Sequence, residues 1–460
     1  EFLERRYNPQ SRTILSVISL VSYVLTKVAV TVYAGGLVFQ QVFGIKELWG
    51  IDFFWIAAIG LVVLTALYTI FGGMKSVLYT SVLQTPILLL GSLIILVLGF
   101  KELGGWDEMM RVCGAVTVND YGDTMTNLIR SNDDANFPWL GALIGSAIIG
   151  FWYWCTDQFI VQRVLSGKNE KEARRGTIFG AYLKLLPVFL FLIPGMIAFA
   201  LHQKYIGAGG EGFLPMLANG TANADAAFPT LVAKLLPAGV KGLVVCGILA
   251  ALMSSLASLF NSSAMLFTID FYKRFRPETP EKKLVGIGQI ATVVIVILGI
   301  LWIPIMRSVG DVLYTYLQDV QSVLAPGIAA AFLLGICWKR TSAQGGMWGL
   351  IAGMIIGLTR LGAKVYYSNA GEVADSTFKY LFYDMNWLFF CGWMFLFCII
   401  VVIVVSLATE APTAEKIQGL VFGTATKEQK AATRASWDHW DIIHTAIILA
   451  ITAAFYWYFW

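Results

Sequence analysis

The sequence predicts an all-α polytopic membrane protein, and three observations support this prediction. The chain of 460 residues is 57% hydrophobic and only 13% charged, whereas about 25% of residues are charged in an average soluble domain. It contains about eleven apolar runs that are long enough to cross a bilayer as helices. Short basic loops alternate with longer, more acidic ones. The net charge of +4 therefore reflects loop composition and does not indicate nucleic-acid binding.

The alternation of loop charge defines an orientation for the predicted spans. Basic residues precede the first span and follow the fourth, sixth, eighth and tenth spans, and the positive-inside rule makes that side cytoplasmic. The chain begins without an initiator Met, so we expect further spans upstream and interpret 1–460 as one transmembrane domain that is partial. The predicted spans are, within a few residues at each end, about 13–43, 52–72, 79–100, 137–165, 177–203, 241–272, 285–306, 314–337, 346–364, 386–408 and 442–460.

A stripe of hydroxyls and one amide lies within the apolar run Ala250–Asp270. On a helix, its members fall within an arc of about 120°. One interpretation is close helix packing, because small residues and hydroxyls are common at membrane helix contacts. The other is a cation site built from neutral oxygens. The residues of the stripe are Ser254, Ser255, Ser258, Asn261 and Ser262.

Two lysines lie inside predicted spans and away from the span ends, where charged residues are costly and are functional candidates by default. Lys27 is near the middle of the first span, too far from either end for easy snorkelling. Lys184 lies in the fifth span, in YLKLLP, and offers three hydrogen-bond donors. Pro187 and Pro194 should bend the helix that carries Lys184.

The fourth span contains the consecutive aromatics Trp152, Tyr153 and Trp154, followed by Asp157. Aromatic rings stack on the C–H faces of sugars and also pack against each other, so ligand binding and packing are both open here. Asp157 and its neighbour Gln158 are equally suited to hydrogen bonds between helices.

The eighth span places Tyr314, Gln318 and Gln321 on one helical face, with Ser322 beside them. The Gln318 amide both donates and accepts, which suits a neutral polyhydroxy ligand. A structural bond between helices is the competing interpretation.

Six cysteines form no disulfide framework, because most lie singly in apolar segments and no pair has metal-ligand spacing. The spans contain no paired central carboxylates and no Ser-His arrangement, so an intramembrane enzyme is not expected.

These residues carry a resemblance to the solute:sodium symporter family, and to its sodium/glucose cotransporter branch in particular. It extends over essentially the whole chain. The specific strings are WYWCTDQFIVQRVLSGKN, YLKLLP and LMSSLASLFNSS followed by LFTIDFY; YTIFGGMKS with YTSVLQT marks the family more broadly.

The resemblance implies a LeuT-type inverted-repeat transporter fold with broken helices and sites near the bilayer midplane. It implies about fourteen spans in the family, including upstream helices that this chain lacks. The implied function is symport of a glucose- or galactose-like monosaccharide with Na⁺, by alternating access, in the plasma membrane or in a bacterial inner membrane. A substrate such as myo-inositol or a monocarboxylate, and a sugar-gated sensor or ion conductor, are alternatives on the same fold.

The resemblance also assigns roles to residues. The implied sodium ligands are the hydroxyls of Ser254 and Ser255 and the carbonyl of Ala251, which favours the cation interpretation of the serine stripe. The implied sugar contacts are Lys184, Gln318, Trp154 and, near the site, Lys27.

The implied gates are Tyr153 on the cytoplasmic side and Tyr314 on the outer side. Three positions depart from the family pattern. Gly150 replaces a Thr or Asn that contacts the sugar, and Ser81 replaces an Asp associated with a second sodium ion, which favours one sodium per substrate. Thr31 replaces an Asp one turn from Lys27, so Lys27 is expected to lack that partner and to reach toward the cavity or an upstream helix.

Overall fold

The structure is a computed structural model that describes residues 1–217, 220–309, 312–370 and 374–459. Within these ranges it describes all side chains except those at 68, 70–78, 80, 81, 83 and 307–309. Ser81 and the GGMKS turn, both noted above, lie outside the described side chains.

The first half of the chain is mostly helical and contains one small hairpin. Its helices and strands are α1 Phe2–Arg6, α2 Pro9–Ser22, α3 Ala29–Phe43, β1 Glu47–Leu48, β2 Ile51–Asp52, α4 Phe53–Leu103, α5 Trp106–Gly114, α6 Trp139–Cys155, α7 Gln158–Leu165, α8 Glu170–Pro187, α9 Ile193–Gly207 and α10 Ala227–Leu235. The antiparallel strands pair Glu47 with Asp52 and Leu48 with Ile51.

The second half is also helical. Its helices are α11 Ala238–Met265, α12 Lys273–Phe275, α13 Glu281–Val309, α14 Leu313–Cys337, α15 Ala343–Asn369, α16 Thr377–Lys379, α17 Trp387–Ala408, α18 Lys427–Ser436 and α19 His439–Tyr458. π-Helical turns occur at Tyr23–Val28, Val188–Leu192, Leu266–Tyr272 and Tyr380–Asp384, and single 3₁₀ turns at Ala224–Ala226 and Ala414–Lys416.

The predicted spans correspond to helices. In the described part of the chain, nine helical stretches are long and apolar enough to cross a membrane, or ten if α6 and α7 form one bent span. A shorter apolar helix covers Phe53–Leu67. Each of the eleven predicted spans overlaps one of the nine stretches, the bent pair or the short helix. Length and apolar composition were therefore sufficient to locate them.

The chain forms two compact units, each made of discontinuous segments. The first comprises Glu1–Lys27, Ser131–Ile178 and Ser262–Thr445. Its centre is α14, which is buried on every side over 320–331 and packs against α15, α17 and α6. Over this stretch the helix therefore shows no solvent-exposed face, and its polar residues Gln321 and Ser322 are buried with the apolar ones.

Glycines let α14 and α15 make backbone contact. A Cβ atom on Gly353 would lie 2.7 Å from the Cα of Gly327, and one on Gly357 would lie 2.3 Å from the carbonyl oxygen of Val323. Small residues are what permit such an approach between membrane helices. The two helices therefore meet along a fixed seam, which we call the α14–α15 seam: Gly327 with Gly353 and Val323 with Gly357.

A buried arginine closes the end of α14. Arg6 in α1 is fully buried and donates to the carbonyls of Gly335, Trp338 and Thr341 at 2.9, 3.0 and 2.9 Å. Gly335 is one of the carbonyls that the C-terminus of α14 leaves without helix partners, Trp338 and Thr341 follow that end, and a cation is favourable at this end of the helix dipole. The N-terminal segment is thus part of the first unit.

The second unit comprises Val28–Arg130, Phe179–Asn261 and Ala446–Trp460. Its core is apolar and is contributed by α3, α4, α5, α9, α10 and α11. Here too glycines allow close contacts, since a Cβ on Gly91 would lie 2.6 Å from Val244. The most buried core residues include Ile95, Leu103, Met109, Cys113, Ile197, Ala198, Ala200, Leu231, Val232 and Val244.

Candidate functional site

The fourth predicted span is broken next to its aromatic triplet. Helix α6 ends at Cys155, α7 begins at Gln158, and the two are bent by 47°. Asp157 is the N-cap of α7 and accepts from the Phe159 backbone N–H at 3.2 Å. A carboxylate at this position satisfies a backbone donor that the break leaves free and is stabilised by the helix dipole.

The same carboxylate binds two side chains of the first predicted span. The Lys27 ammonium is bonded to Asp157 Oδ2, and the Tyr23 hydroxyl donates to Oδ1 at 2.9 Å. Tyr23 is completely buried, with a relative accessibility of 0%. The ion pair has side-chain exposures of only 10% for Lys27 and 2% for Asp157, so its charges are screened little by water.

Three aromatic rings surround the Lys27 ammonium. Its nitrogen lies 4.3 Å from the ring centre of Phe159, 4.6 Å from that of Tyr23 and 5.5 Å from that of Tyr153. Cation–π contacts at these distances add to the attraction of the carboxylate. Lys27 and the predicted gate residue Tyr153 therefore belong to one cluster in the first unit.

Lys27 lacks the Asp that Thr31 replaces, as expected, but its ammonium is bonded to Asp157 instead of reaching toward a cavity or an upstream helix. Sequence reasoning allowed Asp157 a hydrogen bond between helices but did not pair it with Lys27. One further signal was present, because Asp157 stands just before an apolar helical run, which is an N-cap signal.

The aromatic triplet points in different directions, as expected for consecutive residues on a helix. Trp152 is buried, with 3% exposure, whereas Trp154 is 52% exposed and Tyr153 is intermediate. Trp152 is therefore a packing residue, whereas Trp154 has exposed surface with which a ligand could make contact. One turn earlier, a Cβ atom on Gly150 would meet nothing within 4 Å, so this position has free space beside it.

The start of α14 carries the second predicted group of the first unit. The Gln318 amide donates to the Tyr314 hydroxyl at 3.0 Å, and Tyr314 is 56% exposed. Gln321 and Ser322 are buried instead, and Ser322 donates to the Asp319 carbonyl at 2.6 Å. The predicted sugar contact and the predicted outer-gate residue are therefore hydrogen-bonded, while the rest of the polar face packs within the unit.

The serine stripe of α11 divides into parts with different surroundings. Ser258 is fully buried and donates to the Ser254 carbonyl at 3.0 Å. In the first unit, Ser262 is fully buried and bonded to the Gln162 amide at 2.7 Å. The packing interpretation therefore applies to Ser258 and Ser262.

The predicted sodium ligands lie at the other end of the stripe, in the second unit. Ser254 is 8% exposed, while Ala251 and Ser255 are half-buried. The carbonyl of a helical residue lies next to the side chains three and four positions later. Ala251, Ser254 and Ser255 have this spacing on one continuous helix, so the Ala251 carbonyl lies beside the side chains of Ser254 and Ser255.

Lys184 also belongs to the second unit and is exposed. It lies near the end of α8, and a π-helical turn at Val188–Leu192 separates α8 from α9 between Pro187 and Pro194. A cavity of about 510 Å³ in this unit contains none of the predicted residues. It is lined by Gln41, Glu211, Gly212, Phe213, Leu214, Pro215, Met216, Thr230, Ala233 and Lys234.

Within the described residues, no group of three His, Cys, Asp or Glu side chains is arranged to hold a metal ion. The candidate sodium ligands are neutral hydroxyl and carbonyl oxygens. Oxygen is the donor that hard cations prefer, and ligands without net charge hold a monovalent ion weakly enough for its release. This donor set fits a transported cation.

A multi-pass helical membrane transporter with a broken span is the class of protein that this fold and these residues define. The family model "Sodium:solute symporter family" matches residues 1–357. The chain belongs to this family, and it is accordingly a transporter and not an enzyme.

Curated relatives agree. The sodium/mannose cotransporter SLC5A10 of Bos taurus is 35% identical, over 100% of this chain and 79% of its own length. Sodium/myo-inositol cotransporter 2 of Homo sapiens is 35% identical over 92% of this chain. Sodium/glucose cotransporter 1 of Ovis aries is 36% identical over 89%. The chain spans 64% and 63% of the last two relatives, less than two thirds of their length.

A solved structure supports the fold. A Na⁺-coupled sialic acid symporter, in a substrate-bound outward-open state, matches with a TM-score of 0.65. It is 21% identical in sequence, and the match covers 90% of this chain and 77% of that chain. The predicted fold class, an all-α transporter of the LeuT-type inverted-repeat fold, is confirmed.

Proposed function

We propose that this protein carries a monosaccharide into the cell together with Na⁺ by alternating access. The observation that carries the proposal is the agreement among relatives: the mannose, myo-inositol and glucose cotransporters named above are each about one third identical over most of this chain. Their substrates are neutral and polyhydroxylated, which the Gln318 amide suits as donor and acceptor.

The proposed sugar contacts are Gln318, Lys184 and Trp154, and the proposed sodium ligands are Ala251, Ser254 and Ser255. Lys27 receives a different part from the one implied by resemblance. Since its ammonium is bonded to Asp157 and surrounded by rings, we assign it to holding Tyr153, the proposed cytoplasmic gate. Tyr314, bonded to Gln318, is the proposed outer gate.

Coupling follows from linkage. If Na⁺ raises the affinity for sugar, sugar must raise the affinity for Na⁺ by the same factor. The sodium ion at α11 orders the sugar site. The sodium gradient then drives the sugar inward as the loaded transporter changes from outward-open to inward-open.

Two related functions are the alternatives: symport of myo-inositol or a monocarboxylate, and sugar-gated sensing or ion conduction. Among the alternatives, myo-inositol is supported by the 35% identity to sodium/myo-inositol cotransporter 2, which does not exceed the identity to the mannose and glucose cotransporters. Lys184 would favour a carboxylate only if its charge faced the ligand.

The test is sodium-dependent uptake in vesicles that contain the protein, with labelled glucose, galactose, mannose, myo-inositol and lactate. The proposal expects uptake of at least one hexose, inhibition by unlabelled hexoses and no competition from lactate. Gln318→Glu should change which hexose is preferred, because it removes a donor and keeps acceptors. Uptake that lactate blocks and glucose leaves untouched would overturn the sugar assignment, and sodium current without labelled counterflow would indicate a sensor.

A further inference from the structure

Three charged side chains meet in the first unit at one end of the α14–α15 seam. The Lys364 ammonium is bonded to Asp319 Oδ2, and Arg360 Nη2 lies 3.8 Å from Asp319 Oδ1. Their side-chain exposures are 20% for Lys364, 13% for Asp319 and 0% for Arg360. Ionisable residues inside membrane helices are costly, so this cluster calls for a reason beyond ordinary packing.

Arg360 connects the cluster to the segment that follows α16. It donates to the carbonyls of Leu381 at 3.3 Å and Met385 at 2.7 Å. Its guanidinium also lies 4.0 Å from the ring centre of Phe390 in α17. Arg360 therefore has structural partners of its own, whereas Lys364 is held by Asp319.

The cluster has more positive than negative charge. Two cations share one carboxylate, and Asp319 Oδ1 and Arg360 Nε each lack a hydrogen-bond partner within the described residues. A short movement would bring Arg360 into direct contact with Oδ1, because Nη2 is already 3.8 Å away. Asp319 is thus bonded to Lys364, and Arg360 is near enough to become a second cationic partner.

The cluster is the next contact along the seam. Gly327 meets Gly353 and, one turn nearer the start of α14, Val323 meets Gly357. Asp319 comes one further turn along α14, and Arg360 and Lys364 follow Gly357 on α15. The helices are in backbone contact at the glycines. At the end of the seam, where Asp319 lies, the charged side chains bridge them instead.

Gln318 directly precedes Asp319. On a helix the two side chains are separated by about 100°, so a rotation of the first turns of α14 that released Asp319 would also turn Gln318. The hydrogen bond from Gln318 to Tyr314 lies within these same turns.

We propose that Asp319 is a positioning residue for substrate selection: its bond to Lys364, backed by Arg360, sets the rotation of the start of α14 and so the direction of the Gln318 amide. The proposal rests on the proposed function of Gln318 as a sugar contact. It assigns to Asp319, Lys364 and Arg360 a part in choosing between sugar epimers without contact to the sugar.

The charge balance predicts an asymmetry. Removing Asp319 leaves the buried Arg360 and the partly buried Lys364 without a counter-charge, and breaking a buried pair from one side is the costly case. Removing Lys364 leaves Asp319 and Arg360 as a one-to-one pair. Asp319→Asn should therefore disturb transport much more than Lys364→Met.

The experiment measures sodium-dependent uptake of two hexose epimers and the amount of protein in the membrane. Asp319→Asn should raise the sugar KM by about 10-fold and change the epimer ratio, with the sodium KM unchanged. Lys364→Met should change the sugar KM by less than about 3-fold. Asp375→Asn is the control. It breaks a Lys379–Asp375 pair outside the spans, in which Asp375 is 96% exposed, and should change neither value.

If Asp319→Asn does not reach the membrane, the charge exchange Asp319→Lys with Lys364→Asp replaces it. Recovered delivery with an altered epimer ratio would support the proposal, whereas recovered delivery with the original ratio would overturn it. The proposal would also be overturned if Asp319→Asn and Lys364→Met lost uptake to the same extent and only through a lower protein amount or kcat. A changed ratio in Gln318→Glu but not in Asp319→Asn rejects only this inference, while absence of hexose uptake by the unmodified protein rejects the proposed function.

Discussion

The carboxylate of Asp157 holds the ammonium of Lys27 with one oxygen, while its other oxygen accepts from Tyr23 at 2.9 Å. Asp157 is at the same time the N-cap of α7, at the break of the fourth predicted span. The pair therefore ties that break to the π-helical turn Tyr23–Val28 in the first predicted span. Since Tyr153 lies 5.5 Å from the same ammonium, this contact links the break to the proposed cytoplasmic gate.

The first prediction concerns this pair. Asp157→Asn should abolish most uptake and lower the thermal stability of the purified protein, because Lys27 then becomes a buried cation without a counter-charge, at a cost of about 3–5 kcal/mol. Lys27→Met should be milder, since Asp157 keeps its bonds to Tyr23 and the Phe159 N–H. Uptake and unfolding temperature in detergent are the measurements.

The double variant separates stability from gating. Lys27→Met with Asp157→Asn removes both charges, and we expect it to recover thermal stability, because replacing both members of a buried pair is often nearly neutral. Uptake should stay low if the pair holds Tyr153. Recovery of both properties would mean that the pair only stabilises the fold.

Sequence reasoning located the helices but not the partners of their charged residues. Span positions depend on local length and composition, so the segments that include Lys27, Lys184 and Gln318 could be placed from the sequence. The pairing of Lys27 with Asp157 joins residues 130 positions apart, and that of Asp319 with Lys364 joins residues 45 apart. Such contacts depend on tertiary packing, which composition and periodicity do not encode.

The serine stripe shows the same limit on a single helix. Helical periodicity put five polar residues within one arc. Within that arc, Ser258 and Ser262 are fully buried by packing, whereas Ser255 is only half-buried. An ideal helical wheel gives angles but not neighbours. Periodicity alone therefore left both interpretations of the stripe open. The resemblance favoured the cation interpretation, and the sodium assignment of Ala251, Ser254 and Ser255 stays a prediction.

The second prediction tests the proposed cytoplasmic gate. Tyr153→Ala should abolish or greatly slow coupled uptake, because it opens the space beside Lys27 and removes a cation–π contact worth about 0.5–2 kcal/mol. Tyr153→Phe keeps the ring and should retain most activity. Trp152→Ala is unsuitable as a control, since Trp152 is buried. Full uptake by Tyr153→Ala would remove this residue from the mechanism.

The third prediction tests the sodium ligands. Ser255→Ala, and to a smaller extent Ser254→Ala, should raise the sodium concentration that half-activates uptake, because each removes one ligand oxygen. Alanine suits a close helix contact, so the fold should survive. The measurement is uptake as a function of sodium concentration at saturating sugar.

Ser263→Ala is the matched control for the sodium prediction. Ser263 follows the stripe on the same helix and is fully buried, and its hydroxyl has no hydrogen-bond partner within the described residues. Its removal should leave sodium activation unchanged. Unaltered sodium activation in both Ser254→Ala and Ser255→Ala would show that the whole stripe serves packing and that sodium binds elsewhere.

The last prediction uses the free space beside Gly150, where the resemblance indicates that relatives carry a Thr or Asn in contact with the sugar. A Cβ atom there meets nothing within 4 Å, and glycine inside a helix costs about 0.5–1 kcal/mol relative to alanine, so larger side chains should be accepted. Gly150→Thr should lower the sugar KM by about 2- to 12-fold, the equivalent of one hydrogen bond. Gly150→Val has the same shape without the hydroxyl and should leave the KM unchanged. Equal KM values for the threonine and valine variants, measured by uptake of the preferred hexose, would show that position 150 does not face the sugar.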